Sequence, residues 1–565
     1  MKQKPKTQRQ FTPVRNIKDY LQVIEGHGNK VLYRYYADAL GREIIDMTYA
    51  EFVANVRAQA AAFEALGLAG KRVAVVGETS YKWVSTHLAT IACGGVIIPM
   101  DKEVAFEEML GLLAVGEAEV VVYSKSFNDK FASVTSHDTL RTFIPMDPGT
   151  AVLAHGYIAY DKLIEEGKAH PEYQFPETED INQLAEMLFT SGTTGTSKCV
   201  MLSQKNVISV VNTACESVEF FPDDTIVSVL PIHHTYELCC MLAGMNYGMT
   251  IGINDSLKHV LKSITTFRPT GLVLVPLFVE TMHKRIWDKI AQQGKTKKVK
   301  FAIRLTRFLR AFGIDIRRKI FKEIIDGFGG RLERIVSGGA PLNPATMKSF
   351  DDFGITIMEG YGITECSPLI SVNPYFALKA GSVGPACPCC TVRIDGTTVN
   401  DKGLAEGEII VKGDNVMLGY YRNEEANANA FTEDGWYRTG DVGYMDKDGY
   451  IFITGRMKSV IVLDNGKNVF PEEIEEYIGR IPGIVESVVV GRKNDEQGVV
   501  LTALIVPDYD FYKDKSPEEI EAKIKEDIRA MNKKLAAFKQ VKVVEIREEP
   551  FEKTTSRKIK RHLVK

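Results

Sequence analysis

The sequence predicts an α/β protein in which a large N-terminal domain of parallel-type sheets, sandwiched by helices, is followed by a small α+β C-terminal domain. Three observations predict this. Runs of β-branched residues alternate with longer helical patterns, many of those runs are apolar throughout, and the texture of the chain changes after Gly455. In order, the strand-like runs are 73–77, 120–123, 226–230, 272–276 and 335–338, each ending near Gly, Pro or Ser. Apolar residues at every position, rather than at alternate ones, are what a strand covered by helices on both faces requires. The C-terminal ends of such strands are where ligand sites form. Past Gly455, Pro471-Glu472-Glu473-Ile474 opens a helix, and Ser516-Pro517-Glu518-Glu519 supplies an N-cap, a proline at the first helical position and an acidic third position. Strand-like runs at 485–490 and 499–506 lie between them. The join falls near 456–459.

The 565 residues include 70 Lys plus Arg and 73 Asp plus Glu, a net charge of −3, with 45% hydrophobic and 25% charged residues. This balance is that of an ordinary globular protein and favours neither nucleic-acid binding nor global disorder. Nine cysteines without a secretory leader read as reduced thiols of a cytoplasmic protein. The basic stretch 1–10 lacks the apolar core of a signal peptide, and no run of 18 apolar residues suggests a membrane span. No internal repeat is visible.

The most informative segment is Thr190-Ser191-Gly192-Thr193-Thr194-Gly195-Thr196-Ser197-Lys198, a hydroxyl- and glycine-rich loop ending in lysine after an apolar approach. Backbone N–H groups and hydroxyls can wrap a polyphosphate there, glycines permit close approach, and Lys198 adds charge. It is not a Walker A loop, because Gly192 and Gly195 are too close and Cys199 follows Lys198. A flexible surface turn is the alternative.

Here the chain resembles the adenylate-forming superfamily of acyl-CoA synthetases, luciferases and peptide-synthetase adenylation domains. Similar motifs follow in order: Ser337-Gly338-Gly339-Ala340-Pro341 on the adenine side, and Glu359-Gly360-Tyr361-Gly362-Ile363-Thr364-Glu365 after it. Then come Gly407-Glu408 through Gly419-Tyr420, Tyr437-Arg438-Thr439-Gly440-Asp441, Gly455-Arg456 through Glu475, and Lys553-Thr554-Thr555-Ser556-Arg557-Lys558-Ile559. The resemblance runs from about Val31 to the C-terminus, which implies an extension at 1–30, a large domain at 31–457 and a small mobile domain at 458–565, with ATP, Mg²⁺ and coenzyme A as cosubstrates. Tyr361 can place an aromatic face against adenine, and Glu365 is a hard oxygen donor suited to Mg²⁺. Asp441 can accept both ribose hydroxyls, with Arg456 nearby. Lys458 is the implied hinge, Lys558 the lysine of the adenylation step, and Gly466 part of the loop used for thioester formation. Two positions depart from the common pattern: Arg557 stands where many members have Gly, and Lys458 where Asp is frequent.

His233-His234-Thr235-Tyr236-Glu237 occupies the place of a motif whose histidine sits beside the acyl carboxylate, a role that aligns with His234. Adjacent histidines point apart on regular structure, which disfavours shared metal ligation. Cys387-Pro388-Cys389-Cys390 has no second ligand pair at zinc spacing, so thiols are the better expectation. Residues 295–322 carry eleven Lys or Arg, interleaved with Phe301, Ile303, Leu305, Phe308, Leu309 and Phe312. That pattern suits either a solvated helix packing its apolar stripe on the core or a helix meeting a membrane surface, here the inner face.

Together these readings imply a long-chain fatty acyl-CoA ligase that forms acyl-AMP and pyrophosphate and then transfers the acyl group to coenzyme A. The long-chain preference rests on 231–237 and 267–276, with Ile286. A ligase charging an acyl-carrier protein shares the first step and differs in the thiol. A homologue that binds nucleotide or lipid without catalysis is disfavoured, because Lys198, Glu365, Asp441, Arg456 and Lys558 are all present.

Overall fold

The computed structural model describes residues 11–37, 43–149, 156–178, 180–190, 197–254, 256–400, 402–464, 467–494, 498–553 and 559–564. It is a mixed α/β structure with a large N-terminal part and a smaller C-terminal one. Two large sheets organise the former. In the eight-stranded sheet, strands Arg334–Ser337, Gly271–Leu274, Thr225–Ser228 and Thr250–Ile253 run parallel between Thr356–Gly362 and Val31–Tyr36. Antiparallel strands Leu369–Val372 and Ile44–Thr48 close its edges. The seven-stranded sheet has a parallel centre in which Arg72–Val76 is flanked by Val96–Met100 and Val120–Tyr123. Val73, Ala74, Val75 and Val76 are all buried, as are all four residues of Val120–Tyr123. Continuous apolar runs thus become central strands because helices cover both faces.

Helix starts follow local chemistry. Thr48 and Glu51 form a capping box before Tyr49–Ala65, and Ser203 with Asn206 does the same before Gln204–Ser217. The segment expected as an extension contributes the helix Ile17–Glu25, which buries Ile17, Tyr20, Leu21 and Ile24 in the main core; Tyr20 donates to the Leu242 carbonyl at 2.8 Å.

A four-stranded antiparallel sheet, Cys390–Val399, Ala405–Gly413, Tyr437–Met445 and Ile451–Arg456, leads to the smaller part. That part pairs Ile484–Asn494 with Gly498–Pro507 and adds Val543–Ile546 in parallel. The Ser516 cap forms as its sequence predicts, with Glu519 N–H donating to Ser516 Oγ at 3.3 Å and Ser516 N–H donating to Glu519 Oε2 at 2.8 Å. The two parts touch where Gly455 meets Phe470: a Cβ on Gly455 would lie 2.6 Å from the Phe470 side chain. Lys284 and Asp508 form an ion pair across the same divide. Among the described residues no helix is long and apolar enough to cross a membrane.

Gly362 shows how tightly the end of strand Thr356–Gly362 is built, since a Cβ there would lie 1.8 Å from the Pro368 carbonyl oxygen. Backbone cannot rotate away as a side chain can. Gly362→Ala is therefore expected to destabilise the protein by about 3 kcal/mol or more, read as a lowered denaturation midpoint; an unchanged midpoint would contradict this packing.

Candidate active site

The predicted residues that the structure describes come from three sheets: Thr190 and Lys198 from the seven-stranded one, 338–340 and 359–365 from strand ends of the eight-stranded one, and Asp441 and Arg456 from the four-stranded one. Thr190 closes strand Leu184–Thr190, Lys198 opens Lys198–Ser203, and the two are cross-strand partners, with Thr190 Oγ1 donating to the Lys198 carbonyl at 3.4 Å. Ser191, Gly192, Thr193, Thr194 and Gly195 lie outside the described residues, as do Gly466 and Lys558.

The short strand Gly419–Tyr420 pairs with Lys198–Ser203 and sets Tyr420 beside Lys198. Lys198 Nζ stands 4.6 Å from the Tyr420 ring centroid, and Tyr420 donates its hydroxyl to Glu365 Oε1 at 2.9 Å. The Tyr420 and Tyr437 hydroxyls are 3.4 Å apart. Tyr420 thus links the lysine of the glycine-rich loop to the carboxylate expected to favour Mg²⁺. Glu365 sits half-buried in the turn Thr364–Cys366. Among the described residues no cluster of three or more His, Cys, Asp or Glu could hold a metal ion. A cation at Glu365 would therefore take most of its oxygens from phosphate and water, which suits one carboxylate and Mg²⁺.

A second cluster adjoins the first. Asp441 is buried, its Oδ2 accepting from the Tyr361 hydroxyl at 2.7 Å and its Oδ1 lying 2.9 Å from Arg456 Nε. Asp441 and Arg456 face each other across the antiparallel pair of strands. The Asp441 charge, reinforced by Glu472 and Glu365, holds the half-exposed Arg456 guanidinium more firmly protonated than usual. Each Asp441 oxygen keeps a further lone pair for a hydroxyl donor. Tyr361 is itself buried, so its hydroxyl orients Asp441 while little of its ring is open to a base.

Gly338, Gly339 and Ala340 follow strand Arg334–Ser337. Gly339 has φ +84°, and a Cβ on Gly338 would lie 3.1 Å from the Tyr236 ring. Glu359 pairs in register with Ser337, and its buried Oε1 accepts from Leu342 N–H at 3.2 Å. Burial pushes the Glu359 carboxyl up to about 7, a shift opposed by the Leu342 N–H and reinforced by Glu476 of the smaller part. Gly360 and Thr364 lie on the same strand and the turn after it. Lys458 occupies the exposed turn Met457–Ser459 that leaves the four-stranded sheet.

His234 is the N-cap residue of helix Thr235–Tyr247. The expectation that His233 and His234 point apart is corrected: their ring centroids are 4.1 Å apart, because both lie in the turn before the helix, where regular side-chain alternation does not hold. His233 is buried with Nε2 3.6 Å from Asp101 Oδ2, and burial, with His234 beside it, lowers its pKa and favours the neutral ring. Cys387 is buried, with Cys389 and Cys390 half-buried beside it.

Sequence reasoning assigned no role to Tyr236 or Tyr420. Tyr236 donates to the Val336 carbonyl at 3.1 Å and so ties the His234 helix to the strand leading into Gly338. Glu237, buried and bonded to Ser228 at 2.5 Å, is pushed up to about 8 by burial. A small apolar cavity of about 40 Å³ is lined by Val218, Ile226, Gly244, Met249, Val273 and Val336. Its walls are the helix that His234 caps and the strands that end at the candidate site.

The sequence pattern of the AMP-binding enzyme family matches residues 22–421, and that of the AMP-binding enzyme C-terminal domain matches 458–565. A long-chain-fatty-acid–CoA ligase of Mycobacterium bovis is 30% identical over 483 residues, covering 81% of this chain and 77% of the relative. An indoleacetate–CoA ligase of Aromatoleum aromaticum is 30% identical over 477 residues, covering 82% and 83%. The crystal structure of ATP-bound MatB from Rhodopseudomonas palustris, 28% identical, superposes with a TM-score of 0.73 and covers 97% of this chain and 98% of that one. With both halves matched in order and the fold shared along nearly its whole length, the chain belongs to the AMP-binding enzyme family.

Proposed function

We propose that this protein is an ATP-dependent, AMP-forming long-chain fatty acyl-CoA ligase. The observation that carries the reading is the meeting of two charged clusters drawn from the eight-, seven- and four-stranded sheets. Lys198, Tyr420 and Glu365 form one cluster, Tyr361, Asp441 and Arg456 the other. The similarity to long-chain-fatty-acid–CoA ligases favours a fatty acid as the acyl donor.

In the first step the fatty carboxylate attacks the α-phosphorus of ATP, forming the mixed anhydride acyl-AMP as the bond to pyrophosphate breaks. The segment 190–198 and Lys198 hold the phosphates, Asp441, oriented by Tyr361, and Arg456 the ribose, and 338–340 with Glu359 the adenine side. His234 is assigned the place beside the carboxylate. Bound Mg²⁺, held by Glu365, would neutralise phosphate charge. In the second step the thiol of coenzyme A attacks the acyl carbon and AMP leaves, the thiol proton passing to solvent. Lys558 serves the first step and the loop containing Gly466 the second, with rotation at Lys458 exchanging them. Positioning and charge neutralisation supply the catalysis.

The experiment is pyrophosphate release across carboxylates of increasing chain length, followed by a comparison of coenzyme A with acyl-carrier protein as acceptor.

A further inference from the structure

We propose that helix Thr296–Ala311 is a docking surface for an anionic lipid bilayer. The helix turns its aromatic stripe away from the protein. Phe301, Phe308 and Phe312 are 67%, 62% and 69% exposed, and Leu305 between them is 40% exposed. These positions recur at helical spacing on one face, opposite the buried Ile303 and Thr306. Phe308 and Phe312 meet edge to face, 5.0 Å between centroids.

The cations explain the orientation. Arg307 makes a bidentate pair with buried Asp352 at 2.7 and 2.5 Å, and Arg310 reaches Asp351 at 2.7 Å, both on helix Pro344–Phe353. Those bonds pin the polar side of the helix to the protein and leave the phenylalanines in water. Lys297, Lys298, Lys300 and Arg304 flank the stripe and make no ion pair among the described residues. Asp315 and Glu323, the nearby acids, are engaged by Arg317 and Lys295. Exposed rings bordered by unpaired cations fit the interface of a bilayer, where rings enter the acyl boundary and ammonium groups meet anionic headgroups. A second copy of this chain would bring the same positive charge against this face, which opposes self-association there.

The proposal does not depend on the identity of the acyl substrate. Its test is co-sedimentation of the full chain with vesicles of phosphatidylcholine alone or mixed with phosphatidylglycerol. Binding is expected only to the mixed vesicles and should weaken as salt rises. The triple variant K297E/K298E/K300E should bind about a hundredfold more weakly. A second triple variant, F301S/F308S/F312S, should lose about tenfold or more, with an unchanged melting temperature because these rings bury little. Equal binding to both vesicle types, no binding to the mixed ones, or wild-type binding by both variants would overturn the proposal. So would a concentration-dependent dimer that the phenylalanine variant abolishes in the absence of vesicle binding.

Discussion

Lys558→Ala is expected to slow acyl-adenylate formation by about a hundredfold or more, the cost of losing a charged donor of about 3 kcal/mol from a transition state in which negative charge is redistributed. Its neighbours on either side are fastened to the smaller part of the protein. Lys553 pairs with Glu486 and bridges to Ile559, and Phe551 is buried with Val488, Leu504 and Val506. On the proposed reading the lysine moves with that part, whereas Thr190 and Lys198 lie in the seven-stranded sheet of the large part, so the first step would need the two to close. Thioester formation begins from acyl-AMP already made. Given synthetic acyl-AMP and coenzyme A, the variant should form acyl-CoA at close to the normal rate. Equal loss of both half-reactions, or of neither, would contradict the alternation of domains proposed above.

Glu365→Gln is expected to lower the rate of pyrophosphate release by about a hundredfold at subsaturating Mg²⁺, with partial recovery as Mg²⁺ is raised. The substitution is nearly isosteric and keeps an oxygen to accept from Tyr420, so the hydrogen bond that positions the side chain survives while the charge is lost. The melting temperature should barely change because Glu365 is only half-buried. Normal pyrophosphate release at low Mg²⁺ would exclude Glu365 as the carboxylate that favours the metal. Tyr420→Phe separates position from charge: it should produce a smaller loss that added Mg²⁺ does not recover.

The parallel strands were readable because their physics is local: an apolar run such as 73–76 or 120–123 can be satisfied only by burial on both faces. The Ser516 cap was readable for the same reason, since it is completed within four residues. The four-stranded sheet of residues 390–456 was not anticipated. Its strands carry Arg393, Asp395, Glu406 and Glu408 among the apolar residues, and their pairing depends on partners distant in the chain. Tyr420 shows the same limit at the site. It stood in a recognisable motif, but its purpose lies in a bond to Glu365, 55 residues away. The histidine pair and the basic helix show what periodicity leaves open. Regular alternation fails in a turn, which brings His233 and His234 together. An amphipathic pattern identifies a helix without saying which face packs, and here Asp351 and Asp352 on another helix settle it by binding arginines.

The most direct measurement follows products by mass spectrometry when the protein is given ATP, Mg²⁺ and a long-chain fatty acid, first without and then with coenzyme A. The ligase reading predicts acyl-AMP and pyrophosphate without the thiol, and with it acyl-CoA, AMP and pyrophosphate in equal amounts. Release of ADP and phosphate, or acid-independent hydrolysis of ATP with no acyl-AMP formed, would contradict it.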